Sequence, residues 1–185
     1  MTDGTRHAVV VTVGTDHHPF DRLVRWVDGW AARNPNVAVL VQRGESAAPA
    51  HAESAVMLSH DRLMAAMADA HAVVAQGGPG GIMDARSVGH RPIVVARRGS
   101  LGEHVDDHQV TFTAWMAQRD LVWLAADQAD LGRLLDRALA DPGALRIPPD
   151  RGMVDETVAT FAAVVEPLLD NHRTQRTRRS DRRAR

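Results

Sequence analysis

Gly77-Gly78-Pro79-Gly80-Gly81 follows the apolar stretch Ala72-Val73-Val74-Ala75 and leads into a helical pattern that begins near Ile82. A glycine-rich turn between a buried strand and a helix presents backbone N–H groups and a positive dipole end, which suits a phosphate. Asp84 stands one turn into that helix, where a carboxylate can accept hydrogen bonds from a ribose. A second strand pattern, Pro92 to Ala96, precedes a polar loop, Arg97 to His104, and then Val105-Asp106-Asp107-His108-Gln109. In this order the segments describe a nucleotide site with a hydroxyl-reading edge. Taken alone, the glycine run is equally a plain strand-to-helix turn. Asp107 also has an ordinary role as a helix cap or dipole partner, a role that needs neither His108 nor Gln109.

The elements that must position these residues are legible as an alternation. His7 to Val13 is an unbroken apolar run with β-branched members, the pattern of a strand buried on both faces. Leu23, Val24, Val27, Trp30 and Ala31 recur at helical spacing between Phe20 and Ala32, and Asn34-Pro35-Asn36 breaks that helix. Val37 to Val41 reads as strand two, Gln42 to Ser54 as a polar loop, and Val56 to Leu58 as a short third strand. Ser59 or Asp61 is placed to cap a helix running through Ala70. After the glycine turn, a helix from Ile82 to Val88 ends at Gly89. A helix from Asp107 to Gln118, a strand from Leu121 to Leu124, a helix from Asp127 to Leu139 and an amphipathic helix over 153–169 complete the reading. Strands alternating with helices predict right-handed βαβ units: one Rossmann-like α/β domain, a parallel sheet with helices on both faces. In such sheets ligands sit beyond the carboxyl ends of the strands, where both glycine turns fall.

Composition narrows the function classes. At 185 residues the chain can bury one full core but not two nucleotide-fold domains. There is no cysteine, so disulfides and thiolate metal sites are excluded and a reducing, cytoplasmic setting is expected. No apolar run reaches the roughly 20 residues that a membrane helix needs. Residues 173–185 hold seven arginines against Asp181, a net of +6, which leaves the remainder at −7 within a total of −1. Residues 172–185 therefore read as a basic, disordered tail after a domain of residues 1–171, with anionic lipid or an acidic partner as its alternative use. The tail lacks interleaved aromatics, so no nucleic-acid partner is expected. His17, His18, His104 and His108 lack a recognised ligand spacing, and no metal is expected from them. Met57, Met64, Met67 and the four tryptophans read as core or interface.

Two ordered anchors carry a family resemblance. Val11-Thr12-Val13-Gly14-Thr15 with Pro19-Phe20-Asp21-Arg22-Leu23 is the first, and Gly77 to Gln109 with its closing Asp107-His108-Gln109 is the second. Together they resemble the C-terminal, donor-binding domain of glycosyltransferase family 28, and more closely its stand-alone half-size relatives. Those relatives are the soluble subunits of two-component transferases for exopolysaccharide and for dolichol-linked N-acetylglucosamine. The likeness extends over residues 7 to about 168. It departs from the family pattern at Asp16, where His is usual after Gly-Thr, at Ala75-Gln76-Gly77-Gly78, where Ser-His-Ala-Gly is common, and at Asp84, which replaces Glu.

The resemblance implies the C-terminal half of a GT-B glycosyltransferase that moves a hexose or N-acetylhexosamine from a UDP-sugar to a lipid-linked acceptor. It implies diphosphate over Gly78, Gly80 and Gly81, ribose at Asp84, and the base near Leu58 to His60. Gly14 and Thr15 then face the donor across the cleft, Asp107, His108 and Gln109 read sugar hydroxyls, and Arg97 or Arg98 offsets charge on the departing UDP. Glu103-His104 reads either as an approach to the diphosphate or as solvated loop. Inversion by direct displacement needs a general base, for which His17 and His18 are the candidates beside the first turn unless a partner supplies it. No cofactor is implied. A membrane-associated subunit is expected to carry the acceptor site, with this chain at the inner face of the membrane. The competing readings are a non-catalytic nucleotide-fold partner that stabilises a membrane-bound transferase, and a nucleotide-sugar epimerase fragment.

Overall fold

A computed structural model describes residues 6–150 and Gly152. Six strands, β1 (Val9–Thr12), β2 (Val39–Gln42), β3 (Glu53–Ala55), β4 (Ala72–Gln76), β5 (Ile93–Val95) and β6 (Trp123–Leu124), form one sheet. Their order is β3-β2-β1-β4-β5-β6 and every pairing is parallel. Five helices connect or follow them: α1 (Asp21–Arg33), α2 (His60–Asp69), α3 (Pro79–Ser87), α4 (His108–Ala117) and α5 (Gln128–Ala140). A 3₁₀ turn at Gly99–Leu101 interrupts the loop between β5 and α4. This is the doubly wound arrangement that the alternation predicts, with its switch of direction between β1 and β4.

The period-two geometry of strands sorts the apolar runs onto two faces. Val9, Val11, Val74, Ile93 and Val95 pack with Leu23, Val27 and Trp30 of α1 and Leu131 and Leu135 of α5. Val10 and Val73 point the other way, onto Leu63 and Met67 of α2 and Ala85 of α3. Val94 meets Ile82, Met116 and Val122. Complete burial of one such aliphatic side chain contributes about 1.5–3 kcal/mol, so the central strands dominate the stability of the sheet. Among the described residues, no helix is long and apolar enough to cross a membrane.

Several expected boundaries move. The third strand is Glu53–Ala55, overlapping the end of the segment expected to be loop, and Val56 to Leu58 lies beyond it. Polar Glu53 and Ser54 mask the pattern, because this edge strand is held by backbone pairing with β2 rather than by buried side chains. Helix α3 begins at Pro79, not near Ile82, so Gly80 and Gly81 belong to its first turn. Proline is pre-set for that position, where its missing N–H costs no hydrogen bond. Ser59, rather than Asp61, caps α2, its hydroxyl accepting from Arg62 N. Of the methionines, Met67 is core, whereas Met57 is 51% exposed. The helix expected over 153–169 and the basic tail lie outside the described residues.

One buried polar residue gives the fold a pH dependence. His90 is fully buried, and burial first, then the charge of Arg146, push its pKa down to about 4. The unfolded chain binds this proton at an ordinary pKa near 6.5, so the contribution is complete above that value and is lost as pH falls toward 4. Urea titrations at pH 7 and pH 4 are expected to differ by up to about 3 kcal/mol from this group. In a His90→Gln variant that share of the pH slope disappears.

Candidate functional site

At the switch point, β1 and β4 end side by side, with Thr12 paired to Ala75, and each runs directly into a glycine turn. Gly14 has φ +80°, a conformation that side chains rarely adopt. Between the turns lies Gln76, which the sequence marked only as part of a departure from the family pattern. A Cβ at Gly14 would stand 2.9 Å from its Nε2, and one at Gly78 only 2.2 Å from the same atom. The carboxamide is thus wedged between two backbones that only glycine lets close. Gln76 Oε1 is buried without a hydrogen-bond partner.

Gly80 differs, since a Cβ there would meet nothing within 4 Å. No protein contact requires a glycine at this position, yet it stands in the first turn of α3, where Gly78 offers no side chain to cap the open amides. Thr12, Gly14, Thr15, Gln42, Gln76, Gly78, Gly80, Gly81 and Asp84 line one cavity of about 420 Å³, which Met57, Leu58 and His60 border. Six of the twelve expected site residues therefore share a single recess: Gly14, Thr15, Gly78, Gly80, Gly81 and Asp84. Gln42 ties its far wall together, donating from Nε2 to Thr12 Oγ1 (3.3 Å) and accepting from Leu58 N (3.0 Å). A larger concavity of about 550 Å³ between α1 and α5 carries none of the motif residues.

Arg97 and Gln109 take roles other than donor contact. Arg97 is fully buried, donating from Nη1 to the carbonyls of His18 (2.7 Å) and Glu103 (2.8 Å) and from Nη2 to that of Val13 (2.8 Å). Its guanidinium bolts the loop after β1 to the loop after β5 and cannot also reach a diphosphate. Burial pushes its pKa down, while Asp16 and Glu103 act in the opposite sense. Gln109 is 3% exposed, packs beneath Gly77, and accepts from Arg97 N at 3.1 Å. Asp107 precedes α4 but caps none of its amides, and its Oδ1 accepts instead from Gly99 N at 2.8 Å. Polar side chains at these three positions each hold the loop through at least one hydrogen bond, a use that residue type alone does not reveal.

The loop also has a side-chain clamp. Glu103, buried, accepts from Arg22 Nε and Nη2 at 2.8 Å each and from Arg98 N at 3.0 Å, and Arg22 donates to Ala96 O as well. Glu103 is thus neither a solvated loop residue nor turned to the diphosphate.

Beside the cavity the fold gathers the four histidines that sequence leaves far apart. Asp16 Oδ1 accepts from His18 N (2.7 Å) and pairs with His18 Nδ1 (2.6 Å), while Asp16 Oδ2 lies 3.5 Å from His104 Nε2. Burial alone would raise the Asp16 carboxyl, but hydrogen bonds from the backbone and ring of His18, with the charges of Arg97 and His18, hold it below its ordinary value. His17 is exposed and its ring lies 4.0 Å from that of His18, centroid to centroid. His104 and His108 stand edge to face at 4.6 Å. The hydrogen bond between Asp106 Oδ1 and His108 Nδ1 closes the row.

Parallel strands in this order, with glycine turns meeting at the switch point, define a Rossmann-like α/β domain of the kind found in GT-B glycosyltransferases. The chain belongs to glycosyltransferase family 28, matching the description "Glycosyltransferase family 28 C-terminal domain" over residues 8–149. Among solved structures, the glycotransferase of kitacinnamycin is similar at 15% identity and a TM-score of 0.54, over 75% of this chain and 36% of that one. CalG4, the calicheamicin glycosyltransferase, is similar at 13% identity and a TM-score of 0.52, over 76% and 36%. This chain thus spans little more than a third of the length of either. No curated protein matches it. The fold and family expectations stand: the chain carries a C-terminal domain of glycosyltransferase family 28.

The Arg22–Glu103 clamp generates a stability prediction. Glu103→Gln, which leaves Arg22 buried against a neutral partner, is expected to destabilise the chain by about 3 kcal/mol. The double variant Arg22→Met/Glu103→Leu is expected to lose less than the sum of the single changes. Urea denaturation of the parent, Arg22→Met, Glu103→Leu and the double variant measures the coupling, and additivity would show that the pair does not hold the loop.

Proposed function

We propose that this chain is the donor-binding catalytic subunit of a glycosyltransferase that transfers a hexose or N-acetylhexosamine from a UDP-sugar to a lipid-linked acceptor, with a membrane-associated partner supplying the acceptor site. The observation that carries the reading is Gly80: an open glycine face in an uncapped helix turn, lining the same recess as Gly14, Gly78 and Asp84. The diphosphate lies over this turn, Asp84 meets the ribose, and the uracil lies by Leu58 and His60.

The acceptor oxygen attacks the anomeric carbon as the bond to UDP breaks, with inversion, and the acceptor proton passes to a base. His18 fits that role better than His17, because Asp16 orients its ring from Nδ1 and leaves Nε2 for the proton, while His17 is 83% exposed. Charge growing on UDP is met by the fixed amides of α3, and exposed Arg98 replaces Arg97 as the cation available to it. Asp16 and Arg97 act on the reaction through His18 and the loops. Leu101 and Val105, 55% and 76% exposed in the loop after β5, support an apolar partner or acceptor wall. The reaction then takes place at the cytoplasmic face of the membrane, with the +6 tail toward anionic lipid.

Gly80→Val is expected to leave thermal stability nearly unchanged, as nothing lies within 4 Å of the added carbon, but to weaken UDP binding in isothermal titration. Asp84→Ala is expected to weaken it by about 1–2 kcal/mol, roughly ten-fold. Parent-like binding by both variants would move the site elsewhere. His108→Ala tests sugar reading without disturbing buried Gln109, and should reduce affinity for UDP-sugars more than for UDP.

The two-subunit claim is tested by turnover of a lipid-linked sugar acceptor. The chain alone is expected to be nearly inactive, and co-expression with its membrane subunit to restore transfer. Full activity from the isolated chain would refute the claim, and UDP binding without turnover in either setting would favour a non-catalytic partner.

A further inference from the structure

The histidine row contains a ligand set that includes His108 but is not needed as a set by the donor chemistry. His104, Asp106 and His108 alternate along the chain, and one ligand atom from each lies within 4.8 Å of the others. His104 Nδ1 is buried with no hydrogen-bond partner and faces Asp106 Oδ1 at 3.9 Å. Tetrahedral coordination at bonds of about 2.0–2.1 Å sets ligand atoms about 3.4 Å apart, so small side-chain rotations complete the geometry. On the far side of the same ring, Nε2 stands 3.5 Å from Asp16 Oδ2, the carboxylate-behind-histidine arrangement that orients a metal-bound imidazole.

We infer that His104, Asp106 and His108 form a binding site for a divalent transition-metal ion of the zinc class, with Asp16 as the outer carboxylate. Two imidazoles and one carboxylate suit Zn²⁺, Co²⁺ or Ni²⁺ and disfavour Mg²⁺, which prefers an all-oxygen shell. The neighbouring triad Asp16, His17 and His18 is the weaker candidate. Both Asp16 Oδ1 and Asp106 Oδ1 accept from the histidine two residues on, but His17 Nδ1 is 3.9 Å from Asp16 Oδ1 on an 83% exposed side chain, whereas His104 Nδ1 is buried and unpartnered. An ion at the first triad would cross-link the loop after β5 to the first turn of α4, leaving His108 Nε2 outside the coordination. This inference stands independently of the donor reading, since it needs no nucleotide.

The test uses the untagged full chain, stripped with chelator and titrated calorimetrically with Zn²⁺ and with Mg²⁺, alongside visible spectra with Co²⁺. One Zn²⁺ per chain is expected, with a Co²⁺ spectrum of low-coordinate type and no Mg²⁺ binding. His108→Gln, at an exposed position, and Asp106→Asn should each weaken Zn²⁺ by at least about ten-fold, and Asp16→Asn by roughly 10–100-fold, with circular dichroism confirming that each variant is folded. His17→Gln and His51→Gln should leave the affinity unchanged. Absence of Zn²⁺ binding, equal binding of Mg²⁺, insensitivity to the Asp106 and His108 changes, or loss through His17→Gln would each overturn the assignment.

Discussion

Everything at the carboxyl end of this sheet depends on the buried guanidinium of Arg97. A planar, permanently charged group with donors in a fixed fork can satisfy carbonyls from separate loops at once, which a lysine cannot do with the same geometry. Here it binds Val13 and His18 from one loop and Glu103 from another, while stacking 4.7 Å from the centre of the Phe20 ring. The position of His18 and the shape of the loop bearing His104 are therefore one mechanical unit. Phe20 in turn is anchored through its backbone N–H, which donates to Ser46 Oγ at 2.7 Å. The apolar core sets the sheet, but this cation sets the distance between the two loops above it.

The fold was legible because the strands carry it in their composition: Val9 to Val11 and Ala72 to Ala75 are buried on both faces and admit few other readings. The edge strand Glu53–Ala55 was not legible, since an edge is held by main-chain bonds that leave no trace in side-chain type. The recess was legible at its glycines and at Asp84. The roles of Arg97, Asp107 and Gln109 were not, because a polar residue that binds ligand and one that binds backbone have the same letter. Gln76 and Glu103 illustrate the converse. One is wedged between Gly14 and Gly78, 64 residues apart, and the other is clamped by an arginine 81 positions away. Only folding brings those partners together.

The histidines follow the same logic. His17 and His18 belong to the first turn and His104 and His108 to the loop after β5, and nothing in their spacing joins them. The parallel order that places β1 beside β4 and β4 beside β5 brings both loops to one end of the sheet, and Asp16 then reaches both groups with its two oxygens. A single carboxylate thus couples the residue best placed to move a proton to the residues best placed to hold a cation. Occupancy of one side would alter the electrostatics of the other, a linkage that follows from shared geometry.

The register between β1 and β4 limits how such a domain can diversify. Val9 is level with Ala72 and Thr12 with Ala75, so both glycine turns leave the sheet at the same height. Deleting or adding one residue in either strand would lift one turn past the other and exchange the two faces of its valines. Insertions that leave this register intact are therefore those placed in the connections between strands and helices, outside β1 and β4. Tailoring such a domain to a new sugar or a new partner is therefore a matter of substitution at the floor and of insertion only at the rim.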